Sequence, residues 1–101
     1  MQYKIEDISN IIGADRYGSA DTVVNWLLTD SRSLCFPEET LFFAIKTQRN
    51  DGHKYIEELY RRGVRNFVVT SLPDDVNNYV GSNFLVVGSA IEALQALAAH
   101  H

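Results

Sequence analysis

The sequence predicts a small α/β domain in which a short, mostly parallel β-sheet is flanked by helices. Three observations indicate this fold. Predicted strands and helices alternate along most of the chain. The later predicted strands are continuously apolar, as expected for strands that are covered on both faces. The chain has 101 residues, which is the length of one domain. We therefore expect three layers around one modest core.

The first part of the chain predicts a helix followed by a strand. Four isoleucines recur at helical spacing, Ile5, Ile8, Ile11 and Ile12. Gly13 follows, at the position where a glycine commonly ends a helix. Residues 22–29 are rich in β-branched and apolar side chains and predict a strand, in which we expect Trp26 to belong to the core. The polar sequence at 29–32 then predicts a loop.

The rest of the chain continues the alternation. A proline turn at 36–39 precedes an apolar strand at 41–45. Asp51 is predicted to cap a helix that stops at Gly63. The apolar face of that helix carries Tyr55, Ile56, Leu59 and Tyr60. Strands at 66–70 and 84–87 follow, joined by a turn-rich connection at 71–78. A last helix begins at Gly88 or Ser89 and carries Ile91, Leu94, Leu97 and Ala98.

Side-chain patterns also predict which residues pack and which face water. Aromatic residues occur at core spacing at Phe42, Phe43, Tyr55, Phe67 and Phe84. Cys35 is the only cysteine, which excludes a disulfide within the chain, and we expect it to be a small, partly buried apolar residue. Opposite charges four residues apart, Glu57 with Arg61 and Glu58 with Arg62, mark the exposed side of the second helix.

Composition narrows the classes of function. Hydrophobic residues make up 46% of the chain and charged residues 22%, which is ordinary for a globular domain and unlike a disordered one. Nine basic against thirteen acidic residues give a net charge of -4, whereas a protein that binds nucleic acid through phosphates would be more basic. The apolar stretches are too short to span a membrane, and no secretory signal precedes them. We expect a cytoplasmic protein.

Two polar loops follow predicted strands, at 29–32 and at 47–53. In open α/β sheets, ligands bind outside the carboxyl ends of the strands. The second loop also leads into a predicted helix, where unpaired N–H groups favour an anion such as phosphate. These two loops are the candidate binding site.

Each candidate residue also has a purely structural explanation. Asp30 and Ser31 are common in turns, and Asp51 is typical of a helix cap. His53, alone at the first turn of a helix, is typical of a solvated surface position. His100 and His101 are either native residues or the remainder of a tag. No metal site is predicted. The sequence contains no phosphate-binding glycine loop and no recognisable catalytic triad, so we expect no catalytic residues in this chain.

Four motifs taken in order resemble the N-terminal domain of the Mur ligase family, which builds peptidoglycan precursors. They are T-D-S-R, F-P-x-x-T-L-F-F-A-I, N-D-G-H-x-Y-I and R-G-V-R-N-F-V-V. The match runs from about Trp26 to Val69. Within the family the chain resembles most the ligase that adds D-alanyl-D-alanine to UDP-N-acetylmuramoyl-tripeptide, including forms fused to alanine racemase. The tripeptide-forming ligase shares the same motifs and stays an alternative.

The resemblance implies a role for each residue of the two loops. The pocket around uridine and diphosphate would be shaped by Asp30, Ser31 and Arg32. The stretch beside uracil and ribose would be Thr47, Gln48 and Arg49. The turn that directs the helix start toward the diphosphate would be Asn50, Asp51, Gly52 and His53. Ser31 is the first choice among them, because its hydroxyl can donate a hydrogen bond to a phosphate or uracil oxygen.

The resemblance also implies a larger parent protein. Residues 1–88 would form the domain that binds the UDP-sugar, and residues 89–101 would begin a helix that leads to a central domain, since the last helix ends without a cap. The central domain would bind ATP and Mg²⁺, and a C-terminal domain would bring the dipeptide. A racemase fusion would add pyridoxal phosphate (PLP). No cofactor, nucleic acid or membrane is expected to bind this chain, and no activity is expected from it alone.

In two places the chain departs from the family pattern. Glu38 and Glu39 stand where the family often has glycine, and Lys46 or Thr47 stands where a glycine often follows the strand alanine. Two other hypotheses therefore remain. One is an α/β domain that uses the same surface to bind a protein partner. The other, a small hydrolase acting through Asp30 or Asp51, is disfavoured because the sequence places no second catalytic group beside either residue.

Overall fold

A computed structural model describes residues 2–100 and shows helices on both sides of a mixed β-sheet. The helices are α1 (Ile5–Ile12), α2 (Ile56–Arg61) and α3 (Ala90–His100). The strands are β1 (Tyr3–Lys4), β2 (Asp15–Tyr17), β3 (Val23–Val24), β4 (Trp26–Leu28), β5 (Thr40–Phe43), β6 (Asn66–Val69) and β7 (Asn83–Val86). The predicted α/β class is confirmed.

The main sheet has the strand order β2-β7-β6-β5-β4. Strands β4 to β7 run parallel, and β2 pairs antiparallel with β7. Because the parallel strands share one direction, their last residues all lie at the same edge of the sheet, which we call the carboxyl edge. The opposite edge, where these strands begin, is the amino edge. The loops that follow β4 and β5 therefore meet at the carboxyl edge.

The sheet is covered on both faces, which explains why its strands read as continuous apolar runs. Alternate strand residues pack toward α1 and α3, among them Leu41, Phe43, Val68 and Leu85. The intervening residues pack toward α2, among them Phe42, Phe67, Val69 and Phe84. All four predicted core phenylalanines are buried. None of the described helices, which lie within residues 2–100, is long and apolar enough to cross a membrane.

The segment predicted as one strand at 22–29 is instead two strands in different sheets. β3 pairs antiparallel with β1 in a two-stranded sheet, whereas β4 forms the edge of the main sheet. Between them, the N–H of Asn25 donates to the carbonyl of Glu39 at 2.9 Å. Strands β1 and β2 were not predicted, because they span only two and three residues and β2 is the polar sequence Asp15–Tyr17.

Both ends of the chain contribute helices to the same side of the sheet. In α1, Ile5 and Ile8 are buried, and Gly13 ends the helix with a φ of 64° as predicted. In α3 the buried residues are Ala90, Ala93 and Leu97. The helix packs with its alanines toward the sheet. Ile91 therefore lies on the outer side of α3 and is 43% exposed. His101 lies outside the described residues.

Two expectations about individual side chains were wrong, and a third was confirmed in part. Trp26 is 51% exposed rather than in the core, because β4 is an edge strand. Its ring stacks on that of Phe36, with 5.3 Å between the ring centroids. Cys35 is exposed in the connection between β4 and β5. Arg61 pairs with Glu57 as predicted, but Arg62 does not follow the pattern: its guanidinium donates to the carbonyl of Ser31.

Candidate functional site

An open cleft of about 530 Å³ lies at the carboxyl edge, between the loops that follow β4 and β5. It is lined by Thr29, Asp30, Ser31, Arg32, Asn50 and Tyr55. The structure thus brings four of the predicted site residues, Asp30, Ser31, Arg32 and Asn50, around one space, although Asn50 is far from the others in sequence. We call the residues 29–32 the first wall and the pair Asn50 and Tyr55 the second wall.

The first wall runs into a short 3-10 turn, Ser31–Ser33, and Asp30 caps this turn. One Asp30 carboxylate oxygen accepts a hydrogen bond from the N–H of Arg32 at 3.0 Å. The Arg32 guanidinium also donates to this carboxylate, at 2.8 Å from Nη2 to Oδ2. These side-chain and backbone bonds from Arg32 lower the pKa of Asp30 to about 2. Asp30 is therefore ionised at neutral pH, and it orients an arginine whose side chain is 88% exposed.

The second wall rests on a tight turn that begins at the end of β5. Lys46 and Asp51 face each other as an isolated antiparallel bridge. Inside this turn the N–H of Thr47 donates to the carbonyl of Asn50 at 2.7 Å, and the Thr47 hydroxyl accepts from the N–H of Asn50 at 3.2 Å. Gln48 and Arg49 occupy the exposed tip. The turn therefore presents Asn50 to the cleft.

Asp51 caps the helical segment that follows, as predicted. Its carboxylate accepts from the N–H of His53 at 3.0 Å and contacts His53 Nδ1 at 2.6 Å. These contacts with His53, first the backbone bond and then the side-chain bond, lower the pKa of Asp51. The Asp51 carboxylate thus already occupies the N–H of the second residue of this helical segment.

The interpretation of His53 as a solvated surface residue was wrong. Its side chain is only 18% exposed. Its Nε2 accepts a hydrogen bond from the backbone N–H of Thr70 at 3.1 Å, so the ring proton lies on Nδ1, facing Asp51. His53 therefore joins the turn after β5 to the loop after β6, and it lines a neighbouring depression rather than the cleft.

Gly52 is needed for packing rather than for a turn. A Cβ atom at this position would lie 2.9 Å from the backbone N of Ile45 and 3.0 Å from Ala44 Cα. Its own N–H donates to the carbonyl of Ile45 at 2.9 Å. The helical segment therefore starts in direct backbone contact with the end of β5. This contact explains why a glycine stands between the capping Asp51 and His53.

Two residues of the cleft were given no individual role from the sequence. Thr29 belonged to the predicted loop at 29–32, and Tyr55 was assigned to the core by its spacing. Tyr55 is half-buried: it packs against the core on the α2 side, and its hydroxyl lies 3.4 Å from Asn50 Oδ1. A tyrosine at the first turn of a helix beside polar loops could have been identified by its hydroxyl, which needs a polar partner when the ring is partly buried.

The charges around the cleft favour an anionic ligand with polar groups. Arg32 on the first wall is exposed, as is Arg49 in the turn that carries Asn50, whereas the carboxylates of Asp30 and Asp51 are each bonded to a group of their own loop. Arg32 has N–H donors beyond those that Asp30 uses. Within residues 2–100, no group of three or more His, Cys, Asp or Glu side chains is placed to hold a metal ion.

Comparison with known proteins finds the same fold in solved structures. No protein-family model and no curated protein matches the sequence. Solved structures do match. Two crystal structures of MurF from Acinetobacter baumannii, and a structure of UDP-N-acetylmuramoylalanyl-D-glutamyl-2,6-diaminopimelate–D-alanyl-D-alanyl ligase from the same organism, are each similar with a TM-score of 0.84 and 22% sequence identity. Each match covers 99% of this chain and 21% of the solved chain.

The chain therefore spans about a fifth of the length of these ligase structures and has the fold of one of their parts, a mixed-sheet α/β domain.

Proposed function

We propose that this chain is the substrate-binding domain of a Mur-type ligase and that it holds the UDP portion of a UDP-N-acetylmuramoyl peptide in the cleft at the carboxyl edge. The observation that carries the proposal is the position of the T-D-S-R and N-D-G-H motifs. They are far apart in sequence, yet all four residues of the first motif and Asn50 of the second line one cleft, in a fold similar to part of MurF over 99% of this chain.

The first wall supplies groups suited to a diphosphate. Ser31 contributes a hydroxyl, and Arg32 contributes a guanidinium that Asp30 holds at the rim of the cleft. A guanidinium binds phosphate oxygens with paired N–H donors. On binding, Arg32 would share its donors between Asp30 and the ligand.

The second wall supplies groups suited to the nucleoside. Asn50 offers both an amide donor and an acceptor, which is the combination that a uracil edge can pair with. Thr47, Gln48 and Arg49 belong to the same turn as Asn50, and in this proposal they would lie beside the ribose. Asp51, Gly52 and His53 act from behind this wall: they fix the turn through the cap, the backbone contact with β5 and the bond to Thr70.

In the whole enzyme, the reaction would belong to domains outside these 101 residues. A central domain would bind ATP and Mg²⁺ and convert the peptide carboxylate to an acyl phosphate. A further domain would bring D-alanyl-D-alanine, whose amine displaces the phosphate. The tripeptide-forming ligase is the nearest alternative, and it would accept a UDP-N-acetylmuramoyl-dipeptide instead of the tripeptide.

Calorimetric titration of the domain tests the proposal. We expect saturable binding of UDP-N-acetylmuramoyl-tripeptide, weaker binding of UDP and none of ATP. Ser31→Ala should raise the Kd about tenfold, because one hydrogen bond to a charged group is lost. Ser33→Ala, in the same turn but outside the cleft lining, is the matched control. Equal binding of ATP, or an unchanged Kd in Ser31→Ala, would contradict the assignment. Tighter binding of the dipeptide form would favour the tripeptide-forming ligase.

A further inference from the structure

Arg62 connects α2 to the first wall of the cleft. Its Nη1 donates to the backbone carbonyl of Ser31 at 3.3 Å, although 31 positions separate the two residues. The neighbouring Arg61 makes a different contact, because it pairs with Glu57 on the exposed side of α2. Two consecutive arginines at the end of one helix thus face different surroundings, and only Arg62 contacts the site.

The bonds inside the first wall fix its shape but not its position. Asp30 accepts from the N–H of Arg32 and, through its carbonyl, from the N–H of Ser33 at 3.0 Å. Both contacts are local and would move with the turn. Ser31 itself is only 9% exposed, so its carbonyl has little access to water and gains from a protein donor. The contact with Arg62 meets this need and at the same time ties the turn to α2.

The same helical segment carries Tyr55, one of the two residues of the second wall. The 3-10 turn Gly52–Tyr55 leads directly into α2, and Tyr55 lines the cleft at its start. The start of this segment is held against the end of β5 by Gly52. At the other end of the segment, Arg62 holds Ser31. Since a helix is stiff along its axis, the segment acts as a spacer between the two walls.

We infer that Arg62 is a positioning residue that sets the width of the cleft by tying the backbone of Ser31 to α2. This inference rests on the proposed function for its effect on ligand binding, but the contact itself can be tested without ligand. Arg62 touches no ligand in this account. It acts through Ser31.

The test compares Arg62→Ala, Arg62→Lys and Arg61→Ala. Arg61→Ala is matched because it removes the same charge from the next position of the same helix end. In the ligand-free domain, amide hydrogen exchange at Arg32 and Ser33 should become faster in Arg62→Ala and stay unchanged in Arg61→Ala. The Kd for UDP-N-acetylmuramoyl-tripeptide should rise about three- to tenfold in Arg62→Ala, the effect of one lost hydrogen bond. Arg62→Lys should recover part of this loss, because its ammonium can still donate to a carbonyl.

The outcomes separate the inference from the proposed function. If the unmodified domain binds the ligand and Arg62→Ala binds it as Arg61→Ala does, with equal exchange at Ser33, the positioning role is wrong. An equal loss of affinity in both variants would assign the effect to net charge and would also overturn it. If the unmodified domain binds no ligand, the proposed function fails, and the exchange measurement alone then decides whether Arg62 holds the turn.

Discussion

The two edges of the main sheet are both polar, but the polar side chains of the amino edge are buried and bonded to each other, whereas those of the carboxyl edge are largely exposed. At the amino edge, Asn83 and Asn66 are fully buried. Asn83 Oδ1 accepts from Arg16 Nε and Nη2 at 3.1 Å each, and Asn83 Nδ2 donates to Asn66 Oδ1 at 3.1 Å and to the Ala20 carbonyl at 2.9 Å. Thr22 adds a further bond to Asn66 Oδ1 at 2.8 Å. We call these side chains of Arg16, Thr22, Asn66 and Asn83 the amino-edge cluster.

At the carboxyl edge the charged side chains of the two loops are largely exposed, and the two aspartates bond within their own loops. The Asp30 carboxylate binds Arg32, and the Asp51 carboxylate binds His53, two residues away in each case. Arg32 and Asn50 still have groups free to meet a ligand. In the amino-edge cluster the bonds join distant segments, and Asn66 Nδ2 is the buried side-chain atom without a partner among residues 2–100. The two edges therefore do not differ in whether they are polar; they differ in the exposure of their polar groups and in the donors left without a protein partner.

The largest effect is expected from breaking the amino-edge cluster. Asn83→Ala would leave Arg16, Asn66 and the Ala20 carbonyl without a shared partner. Urea unfolding should show a loss of roughly 2–4 kcal/mol in the free energy of unfolding, because a fully buried side chain that makes four hydrogen bonds is removed. Asn77→Ala, which loses only an exposed bond to Tyr17, is the control and should change little. Affinity for the UDP-sugar in the folded Asn83→Ala protein should be unchanged; a selective loss of affinity would place part of the site at this edge.

An intermediate effect on stability is expected from Gly52, which lies close to the backbone that follows β5. Gly52→Ala should lower the free energy of unfolding by roughly 1–3 kcal/mol, because the added methyl group meets backbone atoms of Ala44 and Ile45. It should also weaken ligand binding, since the turn that carries Asn50 must shift. Gly88→Ala, where a Cβ meets nothing within 4 Å, is the matched control. Equal stability of the two variants, measured by thermal unfolding, would show that the close approach is not a constraint.

The smallest effect concerns the charge of the first wall. The pKa of Asp30 is about 2 in the folded chain, below its ordinary value of 3.8. A lowered folded-state pKa gives a contribution that is present above pH 4 and is lost as the pH falls from about 4 to about 2. Asp30→Asn should therefore make the acid-side loss of stability shallower in this window. Asp74→Asn removes a carboxylate from an exposed loop as the control. An NMR titration of Asp30 with a midpoint near 4 would refute the assigned pairing with Arg32.

The sequence predicted the interior of this fold better than its margins. Strands β5, β6 and β7 were recognised because their residues are buried on both faces, and the apolar run itself records that burial. Trp26 could not be placed, since an edge strand has the same β-branched and aromatic composition as a central one. The strands β1 and β2 were missed because two or three residues carry no periodicity.

In the candidate site, too, some roles could be predicted from the sequence and others could not. From local sequence alone, Asp30 was interpreted as a turn residue and Asp51 as a helix cap, and local hydrogen bonds confirm these structural roles. The packing of His53 against Thr70 and the contact of Arg62 with Ser31 depend on how separate segments meet, which spacing cannot reveal. Tyr55 shows the remaining difficulty: its position on the apolar face of a helix is equally compatible with the core and with the wall of a cleft.

The most direct test is an NMR titration of the domain with UDP-N-acetylmuramoyl-tripeptide, with ATP and uridine as controls. We expect saturable amide shifts at Asp30, Ser31, Arg32, Asn50 and Tyr55, no comparable shifts at Asn66 and Asn83, and no response to ATP. That result would establish the carboxyl edge as the binding surface. Shifts confined to the amino edge, or none at millimolar ligand, would contradict the account.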